Sequence, residues 1–294
     1  MKPNHDVRVT SRFVPMLLLA WLCIAPVCQV HAQLSPEYLS AISYCSQGVS
    51  NQTLVLSDSL LSLSQLNSQN APSDVPAGWV EMSVFIKSSD RAYYSVGGFS
   101  TFGGSTLWSF SPMQFQSFFQ NTNRFATMLS GTNLVLRIDQ LLGLSDTSPN
   151  SYIADIWVDP NTLLRPTPNP TLTNVTESWT FPSPLIDVPG KSGADYYTWF
   201  TNRVGTVFGG SGAFPWTSLG YTYDYGTNGH LAGETSYEGL SEFLMFRGAG
   251  TYQYYTSGIY TPDQFVELPE PGTTALFVMG AGLLLVMRRR CRRG

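Results

Sequence analysis

The sequence predicts an α+β fold in which strands predominate, and three observations carry that reading. Trp79–Ile86 alternates in the period of a strand, with Val80, Met82, Val84 and Ile86 on one face. Tyr196, Tyr197, Phe200, Val204, Val207 and Phe208 recur at three- and four-residue intervals, the period of a helix with one buried side. Strand-like and helix-like stretches then mix along the chain without regular alternation, and no internal repeat is apparent. The expectation is a β-rich single domain with a few short helices; an all-β sandwich is the alternative.

In chain order, Ser35-Pro36-Glu37 supplies an N-cap, a first-turn proline and an acidic first turn, and Tyr38, Ile42 and Cys45 follow at helical spacing before Gly48. Asn51–Asp74, rich in Ser, Asn and Gln with interspersed leucines, reads as a loosely ordered connection or weak strand. Tyr93–Phe99 is a candidate partner for Trp79–Ile86 across Ser88–Arg91. Ser111-Pro112 opens a helix that buries Met113, Phe115, Phe118 and Phe119, and Leu134–Leu144 is a second, with Gly143 as its C-cap. Tyr152–Val158 is a strand ended by Pro160, and Arg165–Pro170, with three prolines, is expected to be a stiff, extended surface loop. Asp195 is expected to cap the Tyr196–Phe208 helix before Gly209-Gly210. Leu219–Tyr225, Ser241–Arg247 and Thr251–Tyr260 complete the strands.

Charge is distributed unevenly. The 294 residues carry a formal net charge of −4, yet between Gln33 and Leu268 there are 18 acidic and 8 basic residues. An acidic exterior argues against nucleic acid and anionic lipid surfaces as partners, and is compatible with cation-bridged polysaccharide. At the N-terminus Lys2, Arg8 and Arg12 precede the apolar Phe13–Val27 and then Val30-His31-Ala32, the order of a signal peptide cleaved between Ala32 and Gln33. Cys23 and Cys28 do not make a lipoprotein signal, because Trp21-Leu22 and Pro26-Val27 before them are too bulky. Of the four cysteines, Cys45 alone lies in the body, so no intrachain disulfide forms there and stability must come from burial.

The C-terminus reads Pro269-Glu270-Pro271-Gly272, then the apolar Thr273–Met287, then Arg288-Arg289-Arg290-Cys291-Arg292-Arg293. A helix over 273–287 is short for the ~30 Å hydrocarbon core, and the basic end orients the body outward. Gly280 and Gly282 lack the spacing of a helix-dimer face. This tail resembles the PEP-CTERM protein-sorting signal of Gram-negative bacteria, with Leu268 where valine is more usual. The resemblance implies handling by signal peptidase and by an exosortase, transient residence in the inner membrane, and association with exopolysaccharide, biofilm or the cell surface. The expected organisation is residues 1–32 a signal peptide, 33–267 an exported globular domain and 268–294 the sorting signal, whose motif residues are Pro269, Glu270, Pro271, Arg288, Arg289 and Arg290. Leu136–Leu144, Ile153–Val158, Phe214–Tyr225 and Gly239–Phe243 are also similar to a pattern in exported bacterial proteins from which no activity carries over.

Candidate chemistry is sparse. His230, in an Asn228-Gly229 turn, is the one histidine of the body, which excludes a multi-histidine zinc site and leaves a solvated loop histidine as the plain reading. Asp224–Gly229 has donors at its first and fifth positions and glycine at the sixth, as in a calcium loop, but has glycine at the third and Thr235 at the twelfth, so a turn is expected. Asp155 with Asp159, and Glu234, Glu238 and Glu242, are available as carboxylate pairs for glycan hydrolysis, against which Asp159 before Pro160 is a usual turn residue. Trp216, Tyr221, Tyr223 and Tyr225 form an aromatic row that stacks on sugar rings if exposed and packs if buried, with packing favoured. No catalytic, cofactor-binding or metal-ligating residue is assigned. The leading expectation is a surface or matrix protein without evident catalysis; a carbohydrate-binding module and a glycan hydrolase are the alternatives.

Overall fold

The computed structural model describes residues 34–57, 60–101, 103–104, 106–125, 127–173, 178–230, 237–247 and 253–268. The expected signal peptide and the sorting tail from Pro269 lie outside the described residues, as does Glu234. The described residues belong to one compact unit. They form a mixed α+β fold: helices α1 (Pro36–Asn51), α2 (Pro112–Gln120), α3 (Gly131–Leu141), α4 (Gly193–Thr206) and α5 (Pro262–Val266), and strands β1 (Val80–Lys87), β2 (Gly98–Thr101), β3 (Thr106–Ser109), β4 (Asn150–Val158), β5 (Tyr221–Tyr223), β6 (Glu238–Ser241), β7 (Phe243–Phe246) and β8 (Gln253–Tyr260). The main sheet is antiparallel with order β1-β4-β8-β2, and β3-β7 and β5-β6 form two small antiparallel pairs; no barrel closes.

The main sheet is apolar on both faces because its strands alternate between two partners. Val80, Met82, Val84 and Ile86 of β1, the face read from the sequence, join Ala154, Ile156 and Val158 of β4 and Phe243 and Met245 of β7 in one core. Phe85 and Ile153 point the other way, against Phe115 and Phe119 of α2, Leu134 and Ile138 of α3 and Phe265 of α5. The other side of β7, Leu244 and Phe246, packs on Tyr196 and Phe200 of α4 and on Trp216.

Four expectations are corrected. Tyr93–Phe99 does not pair with β1. Ser88–Tyr93 winds into a 3-10 segment, Val80–Lys87 pairs instead with β4, and Gly98–Thr101 pairs with β8. Local turn residues favoured a hairpin, but the long-range pairing seats β1 at the sheet edge along β4, and the apolar residues of both strands are buried. Gly48 does not end α1, which runs to Asn51 and closes on Gln52 at φ 54 with its N–H on the Gly48 and Val49 carbonyls. Gly48 instead makes room for Leu54, whose Cδ2 would stand 2.5 Å from an added Cβ. The N-cap of α4 is Ser192, whose hydroxyl accepts from the Asp195 N–H at 3.2 Å and donates to the Asp195 carboxylate, a reciprocal arrangement with Asp195 at the third position.

The fourth correction is Arg165–Pro170, which is buried for the most part. Its backbone groups find partners inside the fold: Arg165 N–H donates to the Pro170 carbonyl, Thr167 Oγ1 donates to the Asn169 carbonyl, and the Tyr196 hydroxyl accepts from Thr167 N–H at 3.1 Å and donates to the Thr167 carbonyl at 2.6 Å. Prolines lack the N–H that burial would otherwise leave unpaired, so a proline-rich stretch is less costly to bury than its composition suggests.

Candidate functional site

A cavity of about 630 Å³ is bounded by the start of α1, β1, β3, the 142–150 connection, and α4 with the 212–215 segment. Its walls are chiefly apolar, with Val84, Phe85, Leu107, Phe110, Leu142 and Phe214 among them, and three ionisable side chains of acid or base type line it: Lys87, Arg203 and Glu242. That size falls in the range of small-molecule sites, roughly 300–1,000 Å³.

Glu242 occupies the break between β6 and β7, where its N–H leaves the ladder and donates to the Gly220 carbonyl at 2.8 Å. Trp216 Nε1 donates to Glu242 Oε2 at 3.2 Å. Burial raises the Glu242 carboxyl to about 8, against the smaller opposing effects of the Trp216 hydrogen bond and the Arg203 charge, so the acid is largely protonated at neutral pH. Arg203 comes from the buried stripe of α4, three residues after Phe200, and its guanidinium lies 4.8 Å over the Phe214 ring. Burial pushes its pKa down while the Glu242 charge acts in the opposite sense, and its Nε is buried without a hydrogen-bond partner. Lys87, at the end of β1, is exposed at the edge of the cavity. Glu242 was a carboxylate candidate in the sequence, as a partner for Glu234 and Glu238 and not for Arg203, which carried no motif. The signal that marks them is an acid in the apolar run Leu240–Phe246 and a base on the apolar stripe of a helix.

The aromatic row is not a surface platform. Trp216, Tyr221, Tyr223 and Tyr225 are 1%, 4%, 5% and 6% exposed, so they pack, the reading favoured from the sequence, and the possible glycan contact at these four residues falls away. Tyr221 donates its hydroxyl to the Val55 carbonyl and Tyr225 to the Leu144 carbonyl, and Tyr223 and Tyr225 pack against Tyr38, Ile42 and Cys45 of α1. Burial likewise pushes the Cys45 thiol up, and the nearby Glu242 adds to the shift. The aromatics that do reach solvent beside this row are Tyr44 (47%) and Tyr237 (46%), whose rings lie 5.6 and 5.1 Å from that of Tyr223.

The remaining candidates separate. The Asp224–Gly229 segment is a turn held by Arg137, whose two terminal nitrogens donate to Asp224 Oδ1 and Oδ2 at 2.8 and 2.6 Å. His230 is partly buried rather than solvated, with Nε2 3.3 Å from Asp224 Oδ2. It lines a second cavity of about 290 Å³ with Asp224, Glu238 and Arg124. Asp155 accepts from Ser83 Oγ at 3.0 Å inside the main sheet; burial, then the neighbouring Glu81, pushes it well above the usual carboxylate range. Asp159 caps the single turn at Pro160–Thr162. Glu238 and Glu242 line different cavities, and Asp155 and Asp159 line neither. Among the described residues no three His, Cys, Asp or Glu side chains gather as a metal site, and no helix is long and apolar enough to cross a membrane.

No protein-family model matches the chain, and neither a curated protein nor a solved structure matches it.

Proposed function

We propose that this is an exported protein, delivered to the cell surface or extracellular matrix through exosortase handling of its tail and associated with exopolysaccharide. The observation that carries the reading is the pairing of its two ends: a basic-then-apolar N-terminus with Ala32-Gln33, and a C-terminus with Pro269-Glu270-Pro271, a short apolar run and Arg288-Arg289-Arg290. Eight of the 16 basic residues sit in these ends, and the body between them is strongly acidic, a composition suited to a hydrated, cation-bridged polysaccharide matrix. The carboxylates weighed for glycan hydrolysis do not share a site, since Glu238 and Glu242 line separate cavities and Asp155 lies inside the main sheet.

Fractionation of cells producing the full chain or a chain lacking Pro269–Gly294 tests the reading. Loss of surface or matrix delivery on deletion supports it, and unchanged delivery overturns it.

A second reading, carbohydrate binding, is favoured by the exposed Tyr44 and Tyr237 rings, which lie 6.1 Å apart. Polysaccharide pull-down tests it, with retained binding in a Tyr44→Ala, Tyr237→Ala pair as the adverse result.

A further inference from the structure

We propose that the cavity between β1, β3, α1 and α4 binds a single-chain amphipath, its acyl or alkyl chain against Phe85, Leu107, Phe110 and Leu142 and its carboxylate head against Arg203. The proposal stands apart from the delivery reading, because it concerns what the body holds wherever the chain resides.

Three observations favour an acid over other amphipaths. First, Arg203 Nε is buried and has no hydrogen-bond partner, in a side chain that lines the cavity. A guanidinium without an acceptor is destabilising by about 1–3 kcal/mol, and an anionic ligand oxygen in the cavity offsets that through its charge and a charge-assisted bond to the terminal guanidinium nitrogens rather than to Nε. Second, the charged lining is two cations, Lys87 and Arg203, with one carboxyl, Glu242, so it is net positive even when Glu242 is ionised. That sign is opposite to the body's 18 acidic and 8 basic residues, so it does not follow from composition. Third, Glu242 Oε2 already accepts from Trp216 Nε1, which leaves Oε1 to carry the proton and to donate to a ligand carboxylate. An ammonium head would face both Arg203 and Lys87, and an alcohol would leave the arginine charge uncompensated. The apolar walls supply the chain's binding at roughly 25 cal/mol per Å² of surface removed from water, while the head determines selectivity.

The test uses the full chain with three probes of equal chain length, dodecanoate, dodecylamine and dodecanol, each below its micellar concentration, by isothermal titration calorimetry. The expected result is saturable single-site binding with dodecanoate about tenfold tighter than either analogue. Arg203→Gln is expected to lower dodecanoate affinity about tenfold while leaving dodecanol unchanged, and Arg203→Lys to restore most of the preference. Ala213→Trp, which adds an indole at the cavity wall, should weaken all three probes. Should Arg203→Gln fail to fold, as judged by its thermal transition, the exposed Lys87→Gln takes its place, with a smaller loss for dodecanoate alone. Equal affinities for the three heads, a preference for the amine, or dodecanoate binding indifferent to the head-group variants overturns the proposal. None of these results bears on whether the tail directs delivery.

Discussion

Arg137 and Asp224 form a buried two-point ion pair, each Asp224 oxygen receiving one guanidinium nitrogen, that joins α3 to the turn after β5. Arg137 Nε also donates to the Asn228 carbonyl, and the Asp224 carboxylate accepts from Gly226 N–H, so the pair organises the whole turn. Removing Asp224 leaves the buried Arg137 without its counter-charge, and removing Arg137 leaves the Asp224 carboxylate with only Gly226 N–H and His230 beside it. Arg137→Met and Asp224→Ala are each expected to destabilise the fold by about 3–5 kcal/mol, read from denaturant midpoints. The double variant should lose clearly less than the sum of the two, because it leaves no orphaned charge. Additive losses would show that the pair is not coupled.

Burial raises three acids, Asp155, Glu242 and Asp139, and the last two give stability a pH dependence with a defined window. Glu242 rises from 4.5 to about 8, chiefly by burial, with Trp216 and Arg203 opposing it. The charged and titratable groups around it are Arg203 of α4, Cys45 of α1 and Tyr221 of β5. Asp139 of α3 rises from 3.8 to about 8, again chiefly by burial, with Asp146 adding to the rise and the Ser148 hydrogen bond opposing it. For an acid whose folded pKa lies above its unfolded one, the folded state binds more protons between the two values, so stability falls as pH rises through that window. Each group contributes a slope of up to about 1.4 kcal/mol per pH unit, Glu242 between 4.5 and about 8 and Asp139 between 3.8 and about 8, and none above it. Glu242→Gln and Asp139→Asn should each remove one such slope, so that the wild type loses ground to either variant as pH rises. Parallel stability curves for wild type and variant would contradict the assignment.

The aromatics divide into packing and surface classes, and the two should respond differently to truncation. Tyr223 is buried against Cys45 and Tyr38, so Tyr223→Ala is expected to cost about 3–5 kcal/mol in thermal or denaturant unfolding. Tyr44→Ala and Tyr237→Ala remove rings that are nearly half exposed, and each should shift stability by about 1 kcal/mol or less. A large loss at Tyr44 with none at Tyr223 would reverse the packing order found here.

Elements with a strong period and a local cap were legible in the sequence. Ser35 and Ser111 cap α1 and α2 as their spacing with Pro36 and Pro112 implies, and the Val80–Ile86 face of β1 is buried as its alternation requires. What was not legible depends on partners remote in sequence. Nothing near Lys87 announces that β1 pairs with β4 some 70 residues on, nor does Arg165–Pro170 reveal the Tyr196 hydroxyl that satisfies its backbone. The cavity has the same origin: Lys87, Arg203 and Glu242 come from three distant segments, and only the packing of β7 on α4 brings the last two near each other. The aromatic row was read as one face of a strand over Leu219–Tyr225, yet the strand covers Tyr221–Tyr223 alone, and a period of two does not say whether a face meets solvent or a helix; α1 covers Tyr223 and Tyr225.

The buried Arg165–Pro170 segment depends on Gly220, which sits at φ +79 beside it. A Cβ at this position would stand 2.4 Å from Arg165 Cδ and 2.8 Å from Thr167 Cγ2. Arg165 is held in turn by its Nη2 donating to the Leu61 carbonyl at 2.6 Å, so it cannot yield without losing a buried bond. The Gly220 carbonyl accepts from Glu242 N–H, which carries any displacement into the cavity wall. Gly220→Ala therefore combines left-handed backbone strain with a clash, and a loss of about 3 kcal/mol or more is expected. Gly78 supplies the control: at φ +87 it has nothing within 4 Å of an added Cβ, so Gly78→Ala carries the strain alone, about 1–2 kcal/mol. The difference between the two variants measures how tightly Arg165 is wedged, and equal losses would mean that the proline-rich segment moves aside freely.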